Sequence, residues 1–213
     1  AWRGDLAART LHLLGMLACE RGAWTAGGTA LRAALRHATG ENPRLLGEIH
    51  NDLGPVAIMS ERPVAADRHL MLAETLLERC GSRRAVTVAR FNRGVLAIDR
   101  CDWQIGCELV LASRALRGAT RDAMFWVEEL ELARAELACG PSAGFDRRLA
   151  EVRAAVASYP DHAIVQEALA ALEAHRALAD GNLDAARAAA ARTDEGERLL
   201  VEAVVRAGGG TMP

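Results

Sequence analysis

Apolar residues along this chain return at intervals of three and four, with polar or small residues between them, and nowhere alternate strictly over the length of a strand. Val and Ile occur singly or in short groups inside that helical period, so no sheet is expected. Short polar breaks divide the periodic runs. Glu20-Arg-Gly-Ala-Trp24, Ser60-Glu-Arg-Pro63 and Asp99-Arg-Cys-Asp-Trp103 have the length of loops that join two antiparallel helices. A second set of breaks, at residues 38–43, 80–82 and 116–122, separates one such pair from the next. Pro43 and Pro63 suit the first turn of a helix, where the missing N–H costs nothing.

The breaks are spaced by an internal repeat. Gly15, Gly54 and Gly94 stand 39 and 40 positions apart, and each is followed three positions later by Ala18, Ala57 or Ala97. Further matched columns hold Trp24, Pro63 and Trp103; the small residues Gly27, Ala66 and Gly106; Leu31, Leu70 and Val110; and Ala34, Ala73 and Ser113. Two helices approach to about 8–10 Å only where small side chains face each other, so Gly and Ala at fixed offsets mark the crossings within pairs. Large neighbours such as Trp24, Leu31, Leu70 and Val110 then fill the grooves.

Composition narrows the picture. The 51% apolar content is ample for an extended core, and with aromatics at only 4% it is led by alanine and leucine, a helix-forming mixture. All 26 basic residues are arginine, which points to a GC-rich bacterial genome. With 28 acidic residues the formal charge is -2, and no basic stripe follows a phosphate backbone, so nucleic acid is not an expected partner. Cys19, Cys80, Cys101, Cys107 and Cys139 are odd in number and scattered, as expected for a reducing cytoplasm. No apolar run is long enough to span a membrane, and the first residues show no secretory leader. The absence of an initiating Met and the Gly-rich end suggest a fragment of a longer chain.

Chemistry is sparse. His12, His37, His50, His69, His162 and His175 form no His-x-x-x-His pair, no Cys-x-x-Cys occurs, and the spacing of Cys101 and Cys107 matches no common zinc site. A chain without lysine cannot carry a P-loop, and no Gly-x-Ser-x-Gly elbow is present. The carboxylate pairs Glu128-Glu129 and Glu195 with Glu197 lie on arginine-rich helices and read as solvated faces. No catalytic residue, metal or cofactor is expected, and the chain is not expected to be an enzyme.

Leu14-Gly15 with Gly27 and Ala34, and Leu53-Gly54 with Ala66 and Ala73, resemble the motif of the tetratricopeptide repeat (TPR) family. In the third unit Arg93 replaces the large apolar residue before Gly94. The period of about 40, with Asn51-Asp-Leu-Gly54 and Phe91-Asn-Arg-Gly94, is similar to the longer repeats of MalT-like bacterial regulators. HEAT and armadillo pairs have a similar period, but the early placement of Trp and Gly in the second helix, at Trp24 and Gly27 and at Trp103 and Gly106, favours the TPR reading. The resemblance implies an all-α fold: a right-handed α-α superhelix, or solenoid, of about five TPR-like hairpins plus a C-terminal capping helix. One domain over residues 1–207 is expected, with pairs at 4–39, 43–80, 83–118, 121–158 and 161–193, a cap at 195–206 and a flexible tail at 208–213.

On that architecture the first helix of each pair lines a concave groove. Counting positions gives Arg9, His12 and Met16 from the first pair, Glu48 and Asn51 from the second, Phe91, Asn92 and Val95 from the third and Arg134 from the fourth. The expected groove is apolar in its middle and polar at its N-terminal end. The resemblance further implies that Asn51 and Asn92 clamp a peptide backbone, since an amide donates and accepts at once. The alternative is a pair of locally bonded surface amides. Three functions follow: a module of a larger cytoplasmic signalling or transcription regulator, holding a protein, peptide or small effector; a spacer or homo-oligomer element; and, third, an enzyme with a diffuse site.

Overall fold

In a computed structural model of the chain, the described residues are 2–118, 120–139, 143–158, 163–193 and 201. They are helical throughout, with no strand among them. Residues 1–119 and 120–213 form two compact units.

The first unit stacks three helical hairpins: α1 (Trp2–Glu20) with α2 (Trp24–His37), α3 (Pro43–Met59) with α4 (Pro63–Arg79), and α5 (Arg83–Asp99) with α6 (Trp103–Arg117). Helix α2 packs on α3 and α4 on α5, while the first helices α1, α3 and α5 lie side by side. The three loops inside the hairpins are one turn repeated. In each, the second loop residue, Gly22, Glu61 or Cys101, adopts a left-handed φ of 76°, 54° or 64°. The next amide then reaches back to the carbonyl of the repeat alanine: Ala23 N to Ala18 O, Arg62 N to Ala57 O and Asp102 N to Ala97 O, each at 2.9 Å. The alanine column therefore supplies the acceptor that stops every first helix. Asn42 caps α3 by accepting from the Leu45 amide at 3.1 Å, and Pro43 and Pro63 open α3 and α4 as expected.

Helix crossings sit on the small-residue columns. A Cβ built on Gly15 would lie 2.7 Å from Leu31 Cγ and 3.2 Å from the Gly27 carbonyl; one on Gly106 would lie 3.0 Å from the Gly94 carbonyl. In the first and third hairpins the backbones thus touch glycine to glycine. The middle hairpin accepts a methyl on one side, where Ala66 is fully buried and clusters with Ala57 of α3.

Between hairpins the core is leucine on leucine in one place and charge on charge in the next. Leu45, Ile49, Leu53 and Val56 of α3 cluster with Leu31 and Ala34 of α2, and Leu35 packs against them. One repeat later, Glu74 stands in the column of Leu35 and Arg93 in that of Leu53, and these two form an ion pair. Arg90 joins them at 2.6 Å from Glu74. The departure of Arg93 from the repeat pattern is therefore matched across the interface.

The second unit contains α7 (Ala123–Ala138), α8 (Ala143–Val156), α9 (Ala163–Ala179) and α10 (Leu183–Ala190). Helix α7 packs on α8 and α9, and α10 packs on α9. Asn182 caps α10 and Gly181 takes the left-handed turn before it, at φ 71°. Val201 is buried against Ala174, Ala186, Ala189 and Ala190. Apart from Val201, the expected cap at 195–206 and the tail at 208–213 lie outside the described residues.

Candidate functional site: a groove across three first helices

In the first unit a groove of about 580 Å³ opens along α1, α3 and α5. Its walls are Arg9, His12, Leu13 and Met16 from α1, Arg44, Leu45, Glu48, Asn51 and Asp52 from α3, and Arg84, Ala85 and Val88 from α5 with Ser82 just before it and Leu77 of α4. Arg9, His12 and Leu13 stand six, three and two positions before Gly15, as Glu48, Asn51 and Asp52 do before Gly54, a spacing that puts each set on one helix face.

A hydrogen-bonded ladder crosses all three helices. Nε2 of His12, a residue only 8% exposed, lies 2.6 Å from Oδ2 of Asp52. The Asn51 amide donates to the other Asp52 oxygen at 3.2 Å, and the Asn92 amide donates to Asn51 Oδ1 at 3.1 Å. Because the carboxylate can only accept, the imidazole carries its proton on Nε2. Each link holds the next in a fixed rotamer, so the polar atoms at the groove's centre are already oriented. Pro55, inside α3, adds one more acceptor: it offers no N–H to the carbonyl of Asn51, four residues before it.

Charge is distributed around this ladder. Arg44 donates to Glu48 at 2.9 Å and is neutralised there. Arg9 and Arg84 are both exposed and form no close ion pair among the described residues, Arg9 interacting only at longer range with Asp5, so the groove carries one cation on α1 and one on α5. A smaller pocket of about 280 Å³ adjoins it, lined by Met16, Cys19, Trp24 and Pro55 with Glu20 and Asp52. Burial pushes the Cys19 thiol up, so it stays protonated and acts as apolar wall.

The nine residues expected from sequence divide as follows. Arg9, His12, Met16, Glu48 and Asn51 line the groove, and Asn92 reaches it through its bond to Asn51. Phe91 is buried in the core at 9% exposure, and Val95 is half-buried and not part of the wall. Arg134 belongs to α7 of the second unit, where it pairs with Glu131 at 2.7 Å. Asn51 and Asp52 of α3 set polar groups among the apolar wall residues Leu13, Met16, Leu45 and Val88, while Phe91, in the column of Asn51, is buried instead. Asp52, Arg84 and Leu13 were not expected. Asp52 and Leu13 could have been found by taking the four-residue neighbours of Glu48 and Arg9 along with the three-residue ones.

Among the described residues no three His, Cys, Asp or Glu side chains converge as a metal site. No described helix is long and apolar enough to cross a membrane.

Among solved structures the chain is similar to a thermophilic TPR protein of Thermus thermophilus, with a TM-score of 0.57 and 20% identity, over 94% of this chain and 100% of that one. No family model matches the chain, and neither does any curated protein. The structural likeness shows the fold: a TPR-like helical repeat.

Proposed function

We propose that the first unit is a binding module that holds an extended peptide segment of a protein partner in the groove across α1, α3 and α5. The observation that carries this reading is the His12, Asp52, Asn51, Asn92 ladder, whose oriented amides and the Asn51 carbonyl match the alternating donors and acceptors of a peptide backbone. The exposed cations Arg9 and Arg84 favour acidic side chains on that segment, and the pocket at Met16, Trp24 and Pro55 takes one apolar anchor. Such a module does no covalent chemistry. Its place in a larger bacterial signalling or transcription regulator is supported by the repeat period of about 40 and by the Asn51-Asp-Leu-Gly54 segment. The odd number and scatter of the five cysteines along the chain fit a reducing cytoplasm.

The test is selection from a displayed library of random peptides. Enriched sequences should be extended, acidic and carry one large apolar residue. Replacing Asn51 and Asn92 together by Ala should weaken the selected peptide about tenfold or more, while the melting temperature stays nearly unchanged because both amides are partly solvated. Undiminished affinity in the double variant would remove the groove from consideration.

A further inference from the structure

The repeat makes a second surface legible, adjoining the groove. Three columns, nine before, one before and two after the repeat glycine, form the face by which a first helix stacks on the hairpin before it. In α3 these are Leu45, Leu53 and Val56, exposed by only 3%, 2% and 4% and clustered with Leu31 and Ala34 of α2. In α5 the last column is Leu96, 2% exposed and clustered with Ala66 and Leu70 of α4, and the middle one is Arg93, paired with Glu74. In α1 the same columns hold Leu6, Leu14 and Leu17, exposed by 54%, 55% and 47%. Leu13 beside them, where the face meets the groove wall, is 60% exposed. Helix α1 thus keeps the apolar chemistry of a stacking face, and among the described residues nothing covers it.

We propose that this face of α1 is a docking surface for the second helix of a further hairpin of the same repeat type, seated on α1 as α2 is seated on α3. The continuity of the interface states the chemistry of the occupant. Where α2 meets α3, Gly28 lets Val56 approach so closely that a Cβ there would lie 2.7 Å from Val56 Cγ1, and Leu31 and Ala34 fill the rest. The docking helix therefore carries Gly or Ala at the Gly28 and Ala34 columns with Leu at the Leu31 column. A second copy pairing α1 with α1 fits less well. Leu6 to Leu17 spans about three turns of one helix, far less than the ~800 Å² per partner that a stable free-standing pair buries. A hairpin joined to the stack loses little further freedom on docking, so the same small area suffices.

The register gives a direct test. Asn42 and Ser82 both stand twelve residues before the next repeat glycine, as Arg3 does before Gly15. Inserting a duplicate of residues 2–42 directly ahead of Gly4 therefore places a second α2 over α1, and a duplicate of residues 43–82 places α4 there. Either insert should raise the melting temperature of the first unit by on the order of 10 °C and slow amide exchange in α1. Leu14→Arg with Leu17→Arg should abolish that gain, while changing the melting temperature of the parent chain by no more than about 2 °C, since both leucines are exposed there. Failure of both inserts to give the rise, or a rise that survives the two arginines, overturns the proposal. So does a parent chain whose mass in sedimentation grows with concentration and returns to monomer on Leu14→Arg with Leu17→Arg, which would give the face to a second copy.

Discussion

The helix crossing at Gly106 lends itself to a quantitative test. A methyl group on Gly106 would lie 2.5 Å from Ile98 Cγ1, 3.0 Å from the Gly94 carbonyl oxygen and 3.1 Å from the Ile98 nitrogen. The first neighbour is a side-chain atom that can rotate away. The other two are backbone atoms of α5, and they move only if the hairpin opens. Gly106→Ala therefore sets about 1 kcal/mol of gained helix propensity against an overpacking cost of about 1–3 kcal/mol. We expect a net loss of up to about 2 kcal/mol, seen as a lower urea midpoint with unchanged slope or a fall of up to roughly 8 °C in melting temperature. Ala66 in the equivalent column already carries its methyl and is fully buried. Ala66→Gly should accordingly destabilise too, by about 1 kcal/mol or more, so that neither residue can replace the other. A more stable Gly106→Ala, the result for a helical glycine facing solvent, would refute the close crossing.

Two further expectations concern buried polar contacts. His50 and His69 face each other across α3 and α4 with Nδ1 atoms 2.8 Å apart, and burial together with the His69 charge lowers the His50 pKa to about 4. The unfolded chain then binds more protons between pH 6.5 and 4, so stability falls as pH drops through that window; the full shift corresponds to ~3 kcal/mol, reduced by partial solvation to ~1–2 kcal/mol, and His50→Phe should flatten the urea-midpoint profile there. Arg93→Leu should cost about 1–3 kcal/mol by leaving Glu74 short of one cation, whereas Arg93→Leu with Glu74→Leu restores the Leu35 and Leu53 arrangement of the preceding interface and should come within about 1 kcal/mol of the parent in the same measurement; a double variant no better than the single one would show that the two residues are not coupled.

Local order was encoded at short range. Helical periodicity, the polar breaks, Pro43 and Pro63 at helix starts and the Gly and Ala columns at crossings could all be read along the chain, because turn chemistry and the need for small residues at a close approach act within a few residues or recur at a fixed period. Tertiary structure decided which way each helix is turned. Neighbouring positions on a helix point about 100° apart, so a modest rotation exchanges one column for the next. Phe91 is packed into the core while Asn51 in the same column of α3 lines the groove, and stacking closed contacts across one repeat: His12 with Asp52, Asn51 with Asn92, and Glu74 with Arg93. Partners 19 to 41 residues apart leave no mark on local periodicity, since either member alone reads as an ordinary surface polar residue.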